Sequence, residues 1–427
     1  FERMQGQGHS DWITTDANAP LTEMTLRLPG GIDLESCEQS GMNWLTCMML
    51  KEATQKRSFD KVQHELDLMA SSIYFGTTLH ENYIHVSCMT ANLEATTAVL
   101  EEMVSQPLFA ASDFQRVQAK AVVALKQRAL SSQSVAEDCF NRLLFGEGHR
   151  YAISKTGTLE TTGQHTLASI THLHQSQFRG AYSQVTAFSS APVKRLQKAL
   201  AWLPTWGHQS PPLSLPFAAQ SAAGGIIYVK DCPDAEQTSI RVGRLAHPYD
   251  TLGDYFYANL VNHPLGGYFN SRLNLNLREE KGLTYGIQSS FLGDLKFGVF
   301  KLTTEVTNEG AAYACHELLQ EIERYQSSGI ETVELQAMQK ALQNQRALQY
   351  NTPLQKMNYM SDVQRYGCSL AQLQQQNDLL AQVDKNQLNS IIEQEFNLDQ
   401  MLILLVGPIK DFLPQLKGLG RPVVVLE

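Results

Sequence analysis

No stretch of this 427-residue chain stays apolar for the roughly 18 residues that a membrane-crossing helix needs. The longest apolar-rich runs, such as Met401 to Val406, are strand-sized. Runs of basic residues are missing too. With 43 acidic against 34 basic residues the net charge is -9, which argues against nucleic acid as the main partner. Cysteine is sparse. Cys37, Cys47, Cys88, Cys139, Cys232, Cys315 and Cys368 are odd in number and widely spaced, and none forms a C-x-x-C pair. That pattern indicates neither a disulfide framework nor a zinc knuckle, and most of the seven are expected to be small buried hydrophobes. There is no G-x-S-x-G nucleophile motif, and the glycine-rich segments lack the Lys-Ser/Thr of a phosphate loop. No signal peptide opens the sequence. The first residue, Phe1, is not the usual Met, so an upstream leader, tag or whole domain is an open expectation.

What is present is an ordinary globular balance, 43% apolar and 18% charged, over a length too great for one hydrophobic core. One composition shift divides it. Residues 204–225, PTWGHQSPPLSLPFAAQSAAGG, hold four prolines and three glycines and read as a linker. The parts on either side, 1–203 and 226–427, then read as a repeat. The first has a strand candidate TEMTLRLPGG and an apolar helix GMNWLTCMML. An amphipathic helix with Phe59, Val62, Leu66 and Met69 at helical spacing follows, then a hairpin turning at Glu81-Asn82, then two helices. The second repeats the order from TSIRVGRLAH onward, with Gly282 as a helix C-cap, and MLILLVG closes it. The fold class expected is α+β: two duplicated domains, each a mainly antiparallel sheet packed against helices.

Several of these segments carry a resemblance. Pro29-Gly30-Gly31, Gly41 to Leu50, Arg57-Ser58, Phe109, Asp113-Phe114, Leu143 to Tyr151 and above all LGGYFNSRLNLNLREEKGLTYGIQSSF (Leu265 to Phe291) resemble the M16 metallopeptidases, the pitrilysin, insulinase and mitochondrial processing peptidase group. The resemblance implies two M16-type domains and a chamber closed around a peptide by paired units. It also implies, in an active unit, the inverted motif H-x-x-E-H plus a distant Glu holding zinc, with the motif Glu as general base.

Here that motif is degenerate. The register set by Gly41 and Met49-Leu50 puts Trp44 and Met48 at the two histidine positions and Cys47 at the glutamate. The distant Glu falls near Leu125, followed by Lys126. An indole has no lone pair for a metal, a thioether suits Cu(I), and a thiol does not replace a carboxylate base. Packing in an apolar helix suits all three residues on that helix. Other histidines offer no substitute. His80-Glu81 and His85 lack the H-E-x-x-H spacing and lie in a strand-turn-strand pattern. His172 and His174 point to different faces of a helix, and His149 matches a structural loop of the family.

One device persists. Arg278 and Tyr285 match the Arg and Tyr that the family's second domain turns toward bound peptide. A guanidinium offers five donors in a rigid fork, and a phenol offers one on a rigid ring. From spacing alone, a surface ion pair for Arg278 and a sheet position for Tyr285 serve as well. Gly266 and Gly267, beside His263, match a glycine-rich contact loop; Asn270 and Arg272 are candidates to cap or anchor the helix. The resemblance thus implies a subunit with no catalytic residues and no metal of its own, with zinc in an H-x-x-E-H partner chain and an unfolded peptide as substrate. That peptide is expected to add as a strand to an exposed sheet edge. The alternatives are a structural M16 homologue without a role in proteolysis, or the second half of a longer fused peptidase. Among compartments, the bacterial periplasm is the one the resemblance favours.

Overall fold

The structure, a computed structural model, describes residues 2–6, 9–15, 20–207, 216–348, 351–369 and 371–427. Among the described residues twelve strands are formed: β1 (Glu2–Gly6), β2 (His9–Thr15), β3 (Leu21–Pro29), β4 (Ser72–Thr77), β5 (Glu81–Met89), β6 (Gln184–Ser189), β7 (Ile227–Asp231), β8 (Thr238–Ala246), β9 (Thr284–Gly293), β10 (Gly298–Val306), β11 (Leu402–Gly407) and β12 (Val423–Leu426). Among the helices, α1 (Met42–Met49), α2 (Phe59–Leu68), α3 (Leu93–Ser105), α4 (Ala111–Arg128) and α5 (Ser132–Phe145) precede β6.

The strands make two six-stranded sheets, in the orders β1-β2-β6-β3-β5-β4 and β12-β7-β11-β8-β10-β9. Their pairings are duplicated. β2 with β6 and β7 with β11 are parallel. β3 with β6 and β8 with β11 are antiparallel, as are β3 with β5 and β8 with β10, and β4 with β5 and β9 with β10. Only the outermost strand differs, β1 adding antiparallel and β12 parallel. The expected α+β duplication is therefore present. Strict alternation of buried and half-buried residues along β3, β5 and β10 buries one face of each sheet. β11 is buried throughout, as its continuous apolar run requires. The first hairpin turns at Thr78–His80, and Glu81-Asn82 already belong to β5.

Contacts divide the chain less simply than a cut at 204–225. One unit comprises Phe1–Lys126, Ile153–Pro216 and Tyr350–Gly367; the other comprises Gln127–Ala152, Phe217–Gln349 and Cys368–Glu427. Helix α5 thus belongs with the second sheet. Its Ala136, Phe140 and Leu144, at helical spacing, are fully buried there, and Gln220 and Ala222 donate backbone N–H groups to its Phe145 and Leu143 carbonyls at 3.1 and 2.7 Å. In return the helix Pro353–Tyr366 belongs with the first sheet: Ser361 Oγ accepts from Arg27 Nη1 of β3 at 2.6 Å and donates to Thr186 Oγ1 of β6 at 3.2 Å. Within the segment expected as linker, Trp206 is buried in the first core and donates its indole N–H to Val104 O at 3.1 Å. Phe217 stacks on Phe297 in the second unit at 4.8 Å. Residues 208–215 lie outside the described residues.

Truncation of Phe140 to Ala empties a core position against the second sheet and is expected to cost about 3–5 kcal/mol. Hydrogen exchange should accelerate in β8 and β11 while β3 and β5 keep their protection. Equal loss in both sheets would contradict the assignment of α5.

Candidate functional site

The helix that carries the degenerate motif is built as core. Cys47 is buried, and its thiol donates to Gly76 O at 3.5 Å and Asn82 Oδ1 at 3.8 Å. Burial pushes its pKa up to about 12, so it stays a neutral thiol. Trp44 and Met48, one turn apart, are half-buried and pack against the first core. On α4, Leu125 is buried on the same helical face as Phe114, Val117 and Ala121. Among the described residues no three His, Cys, Asp or Glu side chains converge to hold a metal. The donor set at these positions does not fit a hydrolytic zinc ion.

Polar groups do meet beside α1, in a network that the spacing of the sequence does not reveal. Glu35 sits before the helix N-terminus. Its carboxylate accepts from Gly41 N at 3.1 Å, Asn43 N at 2.6 Å and Asn43 Nδ2 at 3.0 Å. Asn43 Oδ1 accepts in turn from Asn82 Nδ2 at 2.8 Å. Glu35 thus satisfies the open N–H groups of α1 from inside the protein. Burial raises its pKa from 4.5 to about 7, against the lowering effect of those donors.

His80, His85 and His174 are engaged one by one. His80 pairs with Asp33 at 3.2 Å, and Glu81 with Arg27 at 3.1 Å. His85 pairs with Glu23 at 3.1 Å. His174 is half-buried, its Nε2 donates to Val104 O at 2.9 Å, and desolvation lowers its pKa to about 4. His172 and His149 join no metal-binding group among the described residues.

Arg278 and Tyr285, by contrast, line one cavity of about 580 Å³ in the second unit, together with Gly266, Gly267 and Phe269. Two irregularities of the backbone bring them there. Asn274–Glu280 is a π-helical stretch, the N–H of Lys281 reaching Asn276 O five residues back. Gly282, at φ +62°, then takes the left-handed turn that caps it. On the far side, β9 carries a bulge. Thr304 pairs with Ile287 and Val306 with Thr284, so β9 uses one residue more than β10. Ile287, Ser289 and Phe291 face the core at alternate positions, and unbroken alternation would send Tyr285 inward with them. The bulge turns it out instead, to 91% exposure. Its hydroxyl has no hydrogen-bond partner among the described residues. Arg278 stacks its guanidinium over the Phe269 ring at 4.2 Å and meets Glu279 at 3.5 Å. The ion pair is real, but it is an adjacent-residue contact on a half-exposed side chain, and it leaves most donors of the fork free for other groups.

Two asparagines fix the edge strand behind this pair. Asn274 accepts from Ile287 N at 3.2 Å and donates to Ile287 O at 2.8 Å. Asn262 donates to Ser289 O at 2.9 Å and accepts from Ser289 Oγ at 2.5 Å. The middle of the β9 edge is therefore occupied by side chains and is closed to an added strand at those residues. Gly266 has to lack a side chain, since a Cβ there would lie 2.3 Å from Ser289 Oγ. Arg272 anchors the same helix: it pairs with both Glu334 oxygens at 2.6 Å and covers the Tyr325 ring at 4.6 Å. Asn270 is exposed and has no capping bond among the described residues. The sequence gives no sign that Phe269, Asn262 and Asn274 support this cavity; a Phe within a Gly- and Asn-rich turn is the one signal available.

Comparison with known proteins shows what the chain is similar to. Residues 165–342 match the family described as Peptidase M16 inactive domain. A non-peptidase homologue, YmxG of Helicobacter pylori (strain ATCC 700392 / 26695), is 21% identical over 394 residues, spanning 91% of this chain and 89% of its own. The peptidase M16 inactive domain structure from Pseudomonas fluorescens superposes with a TM-score of 0.86 at 18% identity, over 95% of this chain and 98% of that one. The periplasmic protease PqqL of Escherichia coli superposes with a TM-score of 0.77 at 14% identity, over 94% of this chain and 44% of that one.

The buried Glu35 makes a pH dependence. Its folded pKa is raised, so the unfolded chain gives up this proton first as pH rises from about 4.5, and stability falls until the folded group has also ionised near pH 7. The loss should be on the order of 3 kcal/mol. Denaturant titrations from pH 4.5 to 8 should show this decline in the natural chain and a flatter profile in Glu35→Gln. Parallel profiles would remove Glu35 as the cause.

Proposed function

We propose that this chain, whose residues 165–342 match the Peptidase M16 inactive domain family and which is similar over most of its length to a non-peptidase homologue, is the zinc-less subunit of a heterodimeric peptidase. A second M16 chain supplies H-x-x-E-H and the zinc. This one closes the chamber and holds an unfolded peptide through Arg278 and Tyr285. The observation that carries the reading is the outward turn of Tyr285: a bulge places a fully exposed phenol in the same cavity as a guanidinium already oriented by Phe269. A protein that serves only as a scaffold has no use for a bulge that exposes an aromatic ring to water.

Physically, the pair acts at a distance from the metal. Arg278 donates to peptide carbonyls or a carboxylate, and Tyr285 donates one hydrogen bond to the peptide oxygen nearest it. Holding the peptide at these points fixes its register, and positioning of this kind supplies a large share of rate. Since the middle of β9 is capped by Asn262 and Asn274, the peptide is held here by side chains, and any strand addition belongs to another edge such as β4. Pairing of two M16 modules is consistent with PqqL, which accommodates this chain in less than half its length. The same likeness favours a periplasmic location.

The test is reconstitution with an H-x-x-E-H chain from the same genome. The isolated chain should show no hydrolysis, and the pair should hydrolyse unfolded peptides in a chelator-sensitive way. Arg278→Ala combined with Tyr285→Phe should lower kcat/KM by about 10²-fold, a cost typical of lost polar contacts to a reacting peptide, with the pair still assembled by gel filtration. Unchanged activity in that variant would favour the structural role.

A further inference from the structure

A second cavity of about 460 Å³ adjoins the first, sharing Gln133, Gln288 and Thr303 with it. Its character differs. The first is lined partly by Phe269, Tyr285 and Ile287, whereas the second has no apolar side chain in its lining. The polar face of the second sheet supplies Arg241, Lys301 and Thr303, and the N-terminal part of α5 supplies Gln133, Ser134 and Glu137.

The donors there outnumber the acceptors. Lys301 spends two of its three hydrogens on Glu137, at 2.9 and 3.0 Å. Arg128 gives Nε and Nη2 to Asp138, at 3.2 and 2.7 Å. Arg241 is only 2% exposed; its Nη1 donates to Glu305 and to Ile240 O, both at 3.0 Å, and its Nε is buried with no partner among the described residues. A buried guanidinium N–H left unpaired is uncommon and costly. Lys301, Arg128, Ser134 and Ser290 line the same cavity, beside the N-terminal part of α5.

We propose that this second cavity is a subsite for a carboxylate carried by the bound peptide, an Asp or Glu side chain or a C-terminus, a few residues from the segment held by Arg278 and Tyr285. The inference rests on the peptide reading of the first cavity. A carboxylate brings only acceptors, of which the lining has fewer than donors, and it enters a site where a cation is already desolvated. The subsite selects among peptides, and the Arg278–Tyr285 cleft accepts them.

The experiment uses the full chain and a set of fluorescein-labelled, unstructured peptides of about 20 residues in which one Glu is walked along the sequence, each with a Gln twin. Anisotropy titrations at low salt give the Kd ratio of each twin pair. At one or two positions of the walk, Glu should bind about tenfold more tightly than Gln. That ratio should fall to about 1 in Lys301→Gln and in Arg128→Gln, and return toward the natural value in Lys301→Arg; circular dichroism confirms folding of each variant. Equal affinities for every twin pair would overturn the subsite while leaving the peptide reading intact. Absence of binding by any peptide would overturn both.

Discussion

Between Thr304 and Val306 the strand β10 advances by two residues while β9 advances by three. That one surplus residue decides which way Tyr285 points. A strand has period two, so every inward position from Phe291 back through Ile287 would extend to Tyr285 if the ladder were regular. The phenol would then be one more core ring. With the bulge it stands in the cavity, opposite a π-helical stretch that delivers Arg278 from the other side of Gly282. Asn274 connects the two irregularities, since its side chain takes the place of a neighbouring strand at Ile287. The surrounding packing, the Arg272–Glu334 pair included, holds this arrangement to the second core.

The first unit shows the complementary economy. Where an active relative would present metal ligands, the helix α1 presents an indole, a thiol and a thioether, and the polar chemistry has moved inward to Glu35, Asn43 and Asn82. Buried polar groups are tolerable only when they are satisfied, and this network is: the carboxylate accepts from three donors, and each asparagine answers another group. It stabilises the start of α1 at the cost of holding a carboxyl group out of water. The helix is thereby held in the fold by buried groups that satisfy one another.

Much of this was legible in the chain itself, and the physical reason is consistent. Alternation marks β3, β5 and β10 because only one face of each is fully buried; an apolar run marks β11 because both faces are. The expectation that these positions hold no zinc rests on residue identity alone, since ligand chemistry belongs to side chains and not to conformation. The Arg278–Tyr285 pair was legible through resemblance, yet its geometry was not. No local pattern announces a one-residue bulge, and parity alone would have turned Tyr285 inward. The allegiance of α5 was also hidden, because Ala136, Phe140 and Leu144 declare an apolar face without saying which sheet it covers. The strand β6 escaped notice for a similar reason: buried along five of six residues and mixing Thr, Ala and Ser with Val and Phe, it shows neither alternation nor a continuous apolar run.

The central claim is that an unfolded peptide rests against Arg278 and Tyr285 in a chain that has no catalytic centre. Photo-crosslinking measures this directly. A substrate peptide carrying a benzophenone side chain is irradiated with the assembled pair, and the joined residues of this chain are located by mass spectrometry. The account predicts adducts at Phe269, Tyr285 and neighbouring residues of β9, diminished by unlabelled peptide. Adducts confined to other surfaces, with the Arg278–Tyr285 cavity unlabelled at saturating peptide, would contradict it.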